Sequence, residues 1–195
     1  FTPEQLQEES KAVVLLVDTF NAYFENENVH AAIQVLRSAG YQIHIPQMDT
    51  ANSASATEQK CTKQFCCGRT YLAAGMVDEA KVRLGALVDH LAPYAERGIA
   101  IVGLEPSCLF TLKDETLVMG FGQRAVAVSQ KAQLLEEFLV DESKSGKLKL
   151  NLKPADRSVL FHGHCHQKAF AAVTPALDLL QLIPNANPTL IESSC

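Results

Sequence analysis

Four cysteines of this chain lie in short motifs whose residue types suit metal binding or electron transfer. Cys66 and Cys67 are adjacent in the segment Phe-Cys-Cys-Gly-Arg, and Cys108 ends the segment Gly-Leu-Glu-Pro-Ser-Cys. Thiolates are common ligands of zinc and of iron–sulfur clusters. Two adjacent thiolates diverge, so they bind two irons of one cluster more easily than one tetrahedral ion. The alternative is a pair of buried, inert thiols, because free cysteine is among the most buried residue types.

The fourth of these cysteines, Cys165, lies among histidines in the segment His-Gly-His-Cys-His-Gln-Lys at 162–168. Zinc accepts both imidazole and thiolate ligands, so this segment could supply a metal site. Alternate residues of an extended segment share a face, which would bring the three imidazoles together and turn the thiol away. A turn at Gly163 would remove that constraint. A loop of solvated or core-packed histidines is the alternative.

An oxygen ligand or a base is offered by Glu105, three residues before Cys108. The usual metal-binding pair is Cys-x-x-Cys, and here glutamate occupies the first position. Because iron–sulfur clusters prefer four thiolates, this replacement weakens a complete cluster site. A rigid turn with one buried thiol is the alternative, since Pro106 fixes the backbone.

The elements that must position these motifs alternate between strand and helix. Apolar runs and alternation predict strands at 12–17, 41–46, 99–102, 158–161 and 189–191. Helical spacing of apolar residues predicts helices at 28–38, 72–96, 131–140 and 169–182. A strand, a helix and a strand in this order form a βαβ unit, which requires parallel strands.

This order predicts an α/β fold of two pseudo-repeated βαβ units with parallel sheets, the second unit truncated. We assign residues 1–140 to the first unit, 141–156 to a polar, Lys-rich connector and 157–195 to the start of the second unit. Each of the four cysteines follows a predicted strand, and parallel strands end at one edge of a sheet. We therefore expect the four sulfurs to converge at that edge, at least two of them within about 4–7 Å, beside His164 and Glu105.

Composition restricts the function classes. The chain has 195 residues, 47% of them hydrophobic, and a net charge of −5, which is a poor match to a nucleic-acid binder. Its longest apolar run, 12–17, is too short to span a membrane. Six cysteines are too sparse for a disulfide scaffold and favour reduced thiols in the cytoplasm, with peripheral attachment to an inner membrane left open. A start at Phe1 and an end at Cys195 favour a piece of a longer polypeptide.

Five motifs in order resemble the cysteine-rich CCG domain of Fe–S oxidoreductases. They are most similar to the C-terminal region of FAD-linked D-2-hydroxyacid dehydrogenases of the D-lactate or D-2-hydroxyglutarate type. The resemblance extends from about Lys11 to Cys195. The motifs are Val-Asp-Thr-Phe-Asn-x-Tyr-Phe at 17–24, Cys-Cys-Gly-Arg at 66–69, Gly-Leu-Glu-Pro-Ser-Cys at 103–108, Leu-Leu-Glu-Glu-Phe-Leu at 134–139 and His-Gly-His-Cys-His-Gln-Lys at 162–168.

The resemblance implies two half-sites, each built as Cys, then Cys-Cys-Gly, then Cys-x-x-Cys. In the first half, Asp18 and Glu105 stand where that pattern has cysteine. Cys195 matches the first cysteine of the second Cys-Cys-Gly, whose remainder lies beyond the end of this chain. The implied metal-binding residues are Cys66, Cys67, Cys108, Cys165 and Cys195, with His164 and Glu105 as further candidates and Gly68 and Arg69 against the cofactor.

The implied function is that of the cysteine-rich, Fe–S electron-transfer region of such a dehydrogenase. The parent would hold an iron–sulfur cluster or zinc here and FAD in another domain, and would oxidise a small 2-hydroxy acid. Its flavin and ferredoxin-like domains are the expected partners, and the isolated piece is expected to be inactive and flavin-free. An empty metal site in the isolated piece stays an open alternative, because its second half-site is incomplete. Two alternatives remain: a non-redox zinc module held by His162, His164, Cys165 and Glu105, and a structural interface domain that has lost its ligands.

Overall fold

The computed structural model describes residues 11–48 and 64–193. Most of the polar segment 47–64, which the sequence predicts to be a loop, lies outside these ranges, as do Cys61 and Cys195. The strands are Ala12–Leu16 (β1), Gln42–His44 (β2), Ala100–Gly103 (β3), Ala132–Leu134 (β4), Arg157–Phe161 (β5) and Ala186–Leu190 (β6). The helices are Thr19–Tyr23 (α1), Asn26–Ser38 (α2), Arg69–Ala73 (α3), Val77–Glu96 (α4), Pro106–Lys113 (α5), Glu115–Val118 (α6), Gln123–Lys131 (α7), Leu135–Lys144 (α8), Cys165–Ala169 (α9) and Val173–Gln181 (α10).

Both sheets are parallel. Four strands pair in the order β2-β1-β3-β4, and β5 pairs with β6 in a separate two-stranded sheet. Each sheet contains the predicted strand–helix–strand unit, β1-α2-β2 in the first and β5-α10-β6 in the second. The predicted α/β fold with parallel sheets is confirmed.

The four-stranded sheet is buried on both faces. Val14 and Leu16 of β1 pack into a cluster with α4 and α5, whereas Val13 and Leu15 pack into a second cluster with α2 and α8. Successive residues of a strand point to opposite faces, so a continuous apolar run is required here. The sheet is thus the middle of three layers, with helices packed on both of its faces.

Three helices predicted from periodicity are interrupted or shortened in the structure. The predicted helix 72–96 is broken at 74–76, between the end of α3 at Ala73 and the start of α4 at Val77. The predicted helix 131–140 contains the end of α7, the strand β4 and most of α8, which continues to Lys144. The prediction was wrong there because a three-residue strand has too few residues to show a period. The predicted helix 169–182 begins at the last residue of α9 and is otherwise shortened to α10, because Ala171, with a positive φ of 55°, separates the two helices.

The sequence analysis also did not predict helices α5, α6 and α7, which lie between β3 and β4.

Among the described residues, no helix combines the length and the apolar character that crossing a membrane requires.

Candidate metal centre

Several helices begin directly after a strand and present their amino termini at the same edge of the fold. Asp18 caps α1 after β1, Glu105 caps α5 after β3, and His164 caps α9 after β5. Open α/β sheets bind ligands outside the carboxyl ends of their strands, which is this edge. The cysteine motifs are therefore built into helix starts.

The thiols of Cys67 and Cys108 are in contact. Their sulfurs lie 2.9 Å apart, and both side chains are buried. The half-buried sulfur of Cys66 accepts a hydrogen bond from the Gly68 N–H at 3.4 Å. The three predicted thiol ligands of the first half are thus brought to one loop and one helix start.

The environment of Cys66 and Cys67 favours the protonated form of both thiols. The hydrogen bond with Cys67 and burial raise the pKa of Cys66. The hydrogen bond with Cys108 and burial likewise raise the pKa of Cys67. Crowded, desolvated sulfurs resist negative charge unless a cation joins them. A bound metal ion would supply that cation, since it takes thiolates as ligands.

Gly68 fixes the position of the Cys-Cys loop against α4. Its φ is +76°, and a Cβ placed there would lie 3.1 Å from the carbonyl oxygen of Ala80. A side chain would be strained and would also press on the helix backbone. Glycine is therefore required by the packing of the loop, whether or not a cofactor is bound.

Arg69 joins the Cys-Cys loop to the region that follows β3. Its guanidinium forms an ion pair with Glu115 and donates from Nε to the carbonyl oxygen of Ser107 at 3.5 Å. The side chain predicted to lie against a cofactor thus already holds the two cysteine loops together.

The two carboxylates that replace cysteine in the resembling pattern act as helix caps. Asp18 is buried, and its Oδ1 accepts hydrogen bonds from the backbone N–H groups of Phe20 and Asn21. Glu105 Oε1 accepts from the backbone N–H and the hydroxyl of Ser107. Such caps satisfy helix N–H groups that have no other partner. The structure therefore gives both residues a role that needs no metal.

The second candidate cluster is formed by His164, Cys165 and His166. One ligand atom from each lies within 4.8 Å of the other two. Cys165 is exposed, with its sulfur 4.0 Å from Nδ1 of His164 and 3.8 Å from Nδ1 of His166. The segment turns into α9 at this point, so the extended arrangement that would bring His162 alongside is not formed.

His164 links this cluster to the first loop pair. Its Nδ1 accepts the N–H of His166 at 3.1 Å, and its Nε2 lies 3.8 Å from Oε1 of Glu105. Burial lowers the pKa of His166, and the positive charge of Arg69 lowers it further. Glu105 and Arg69 therefore lie close to the histidines as well as to the thiols.

An aromatic contact fixes α9 against α5. The rings of Phe110 and Phe170 stack at 4.4 Å between centroids with planes 2° apart. Phe110 follows Cys108 by two residues, and Phe170 follows Cys165 by five. This contact packs the helix that begins at Cys165 against the helix that carries Cys108.

His162 contacts the end of the described chain. Its Nε2 lies 2.7 Å from the hydroxyl of Ser193, and Lys168 donates to the carbonyl oxygen of Ser193 at 2.7 Å. Cys195, a predicted ligand two residues further on, lies outside the described residues. The histidine motif thus holds the segment that leads toward Cys195.

Sequence reasoning missed Gln167 and Glu136. Gln167 is buried, accepts the backbone N–H of His164 at 2.9 Å and donates to Glu136 Oε1 at 2.5 Å. Burial raises the pKa of Glu136. A glutamine three residues after a helix cap is the capping-box pattern, and this signal could have identified Gln167.

A row of rings lies behind the Cys-Cys loop. Phe65, directly before Cys66, lies 4.8 Å from His90 between ring centroids, and His44 stacks on Tyr94 at 4.8 Å. The Tyr94 hydroxyl is 3.0 Å from Nε2 of His44. Burial lowers the pKa of His44 to about 4, and the charge of His90 adds to this effect. His44 and His90 thus pack among aromatic rings.

Two curated proteins are similar to this chain in sequence. Both are subunits of an anaerobic glycerol-3-phosphate dehydrogenase, one from Escherichia coli strain K12 and the other from Escherichia coli O157:H7. Each is 27% identical over 146 residues, which is 74% of this chain and 36% of the relative. The chain resembles part of a dehydrogenase.

This similarity spans about a third of the length of each relative. No family model and no solved structure matches the chain.

Proposed function

We propose that this chain is the cysteine-rich, Fe–S electron-transfer region of a larger dehydrogenase. The observation that carries the proposal is the contact between the sulfurs of Cys67 and Cys108, with Cys66 in the same loop. The similarity to part of a dehydrogenase supports a redox role for this thiol set.

The chemistry of the donors fits iron. Soft thiolates select iron–sulfur clusters, zinc or copper(I) over magnesium and calcium. The pKa values of the half-buried Cys66 thiol and the buried Cys67 thiol are raised, so a bound cation would help both to ionise. When bound, an iron–sulfur cluster accepts and returns single electrons.

The residues of this chain would set the properties of that centre. The Gly68 N–H donates to the Cys66 sulfur, and burial excludes water from Cys67 and Cys108. Hydrogen bonds to sulfur and exclusion of solvent both adjust the reduction potential of a cluster. Arg69 holds the two loops at a fixed separation through Glu115 and Ser107.

The fourth ligand is proposed to come from the second half-site. Cys165 begins the helix that packs on α5, and Cys195 is the further candidate from the resemblance. Glu105 is a weaker candidate, because its carboxylate caps α5.

The finer assignment follows the sequence resemblance. We propose that the parent oxidises a D-2-hydroxy acid with FAD held in another domain, and that flavin and ferredoxin-like domains of the same polypeptide are the partners. The relatives are named for glycerol-3-phosphate, which is also an alcohol, and dehydrogenation of either substrate releases two electrons. This chain would pass such electrons onward.

A zinc site is the second candidate function. It is favoured by the ligand atoms of His164, Cys165 and His166, which lie within 4.8 Å of one another, with Glu105 next to His164. Here zinc would fix the interface between the two units without redox chemistry.

Anaerobic reconstitution of the purified chain tests these proposals. The chain is incubated with iron and sulfide or with zinc, desalted and analysed for metal and for visible absorption. We expect bound iron with broad visible absorption, lost in Cys67→Ser and kept in His166→Ala. Colourless zinc, lost in His166→Ala and kept in Cys67→Ser, would instead support the second candidate. Binding of neither metal would overturn both.

A further inference from the structure

A cleft of about 550 Å³ lies on the α2–α8 side of the four-stranded sheet. Its lining residues come from α2, from α8, from the end of α10 and from the segment that carries Leu150 and Leu152. Its volume is within the range of about 300–1000 Å³ that is usual for small-molecule sites. The cysteines of the candidate metal centre do not line it.

The cleft is polar at one end and aliphatic elsewhere. The polar side chains Asn21, Glu105 and Glu136 follow the carboxyl ends of β1, β3 and β4, so they lie at the same edge as the candidate metal centre. Further along α2 and α8 the lining is apolar. The apolar lining includes Ala32, Val35, Leu139, Leu150, Leu152 and Leu179.

The position of the cleft is where this fold class binds ligands. From β1 the chain crosses to β2 on one side, whereas β3 and β4 extend the sheet on the other side. The strand order therefore reverses between β1 and β3, and Asn21 and Glu105 lie just beyond the ends of these two strands. A crevice opens at such a switch point in doubly wound sheets.

The charges at the polar end reject an anion. Glu25, Glu105 and Glu136 line it, and no lysine or arginine is among the lining residues of the described chain. A carboxylate or phosphate group would meet like charge there. Anionic 2-hydroxy acids and glycerol phosphates are therefore poor ligands for this cleft.

The carboxylates of Glu25, Glu105 and Glu136 also do not need a cationic ligand. Each already accepts a hydrogen bond from the protein: Glu25 from Asn28, Glu105 from Ser107, and Glu136 from Gln167. Bringing a cation into the aliphatic part would add a desolvation cost without relieving an unpaired charge.

We propose that this cleft binds an uncharged lipophilic molecule, with its apolar part among the leucines and a small polar head at Glu105 and Glu136. The head would lie next to the candidate metal centre, because Glu105 Oε1 is 3.8 Å from His164 Nε2 and Glu136 is joined to His164 through Gln167. The binding step needs no metal, so it stands apart from the proposed electron transfer.

The test uses the metal-free chain and Nile red, an uncharged dye that fluoresces in apolar surroundings. Binding is measured at pH 7.5, followed by competition with 2-decanone, decanoate and decylamine below their micelle concentrations. The three competitors share a decyl-length chain and differ in the charge of the head. We expect 2-decanone to displace the dye at a concentration at least ~10-fold lower than either charged competitor. Equal or better displacement of the dye by decanoate or decylamine would overturn the proposal that the ligand is uncharged.

Two variants locate the dye. Val35→Phe narrows the cleft, and Ala31→Phe blocks its exposed rim with less risk to folding. Val82→Phe, on an exposed position of α4 outside the lining, is the matched control. We expect both cleft variants to weaken dye binding ~10-fold or more, and the control to leave it unchanged. Unchanged binding by a folded cleft variant overturns the proposal, and iron binding by the same variants is measured separately.

Discussion

The sulfur of Cys67 lies 2.9 Å from the sulfur of Cys108, although 41 residues separate them in sequence. The Cys-Cys loop is packed on α4 through Gly68, and Cys108 is in the first turn of α5. The contact is therefore produced by two separately anchored segments at one edge of the sheet.

Replacing either sulfur should remove the metal site. We expect Cys67→Ser and Cys108→Ser each to lose most of the iron retained after reconstitution, because a hydroxyl is a poor ligand for this soft-metal site. Cys61 lies outside the five motifs of the resemblance, so Cys61→Ser should retain the iron. The measurement is iron per chain after desalting, with thermal unfolding to show that each variant is folded. Full iron retention in both variants would exclude the proposed ligand set.

Gly68 and Gly40 offer a matched comparison of backbone strain and crowding. Both have positive φ, +76° and +86°, but a Cβ at Gly40 would meet nothing within 4 Å. We expect Gly40→Ala to cost about 1 kcal/mol of unfolding free energy from strain alone. Gly68→Ala should cost about 1–3 kcal/mol more, because the added carbon presses on the backbone of Ala80. Urea unfolding of both variants checks this, and equal losses would mean that the contact with α4 is unimportant.

Asp18 should contribute to stability through its cap. We expect Asp18→Ala to lower the unfolding free energy by about 1–3 kcal/mol, since it leaves buried N–H donors of α1 without an acceptor. Asp18→Asn should retain most of the unfolding free energy that the cap contributes, because asparagine caps helices nearly as well as aspartate. Chemical unfolding at pH 7 gives both values. If alanine and asparagine were equally destabilising, the negative charge rather than the cap would be the important property.

His44 should make stability depend on pH. Its folded pKa, about 4, lies below the ordinary value of 6.5, so the unfolded chain binds more protons between these values. This contribution to stability is therefore complete above pH 6.5 and is lost as the pH falls toward 4. Because His44 is only partly buried, we expect a loss of about 1 kcal/mol rather than the full linkage value.

The comparison that isolates this effect is the unfolding free energy at pH 7 and at pH 4.5. His44→Gln should reduce the difference between the two pH values relative to the unchanged chain. His30→Gln, at an exposed position of α2, is the control and should leave this difference unchanged. An undiminished pH difference in His44→Gln would assign the acid sensitivity to other groups.

The elements with the clearest local patterns could be predicted from the sequence. The five predicted strands agree with β1, β2, β3, β5 and β6 to within a few residues, because each combines a short apolar run with a turn signal. The strand β4 was missed, since its three residues are held in place by pairing with β3 and not by their own pattern. Pairing between strands depends on residues that are distant in sequence, so the pattern within a short stretch of sequence does not reveal it.

The sequence by itself determined which residues are candidates for the metal centre and, through the order of strands and helices, the α/β class of the fold. Only the tertiary structure decided which thiols touch, and that Asp18, Glu105 and His164 serve as helix caps. It also decided that a cleft opens between α2, α8 and α10. The physical reason is that residue type and strand order are local and topological properties. The direction of a side chain at the end of a strand depends instead on contacts with residues far away in the sequence.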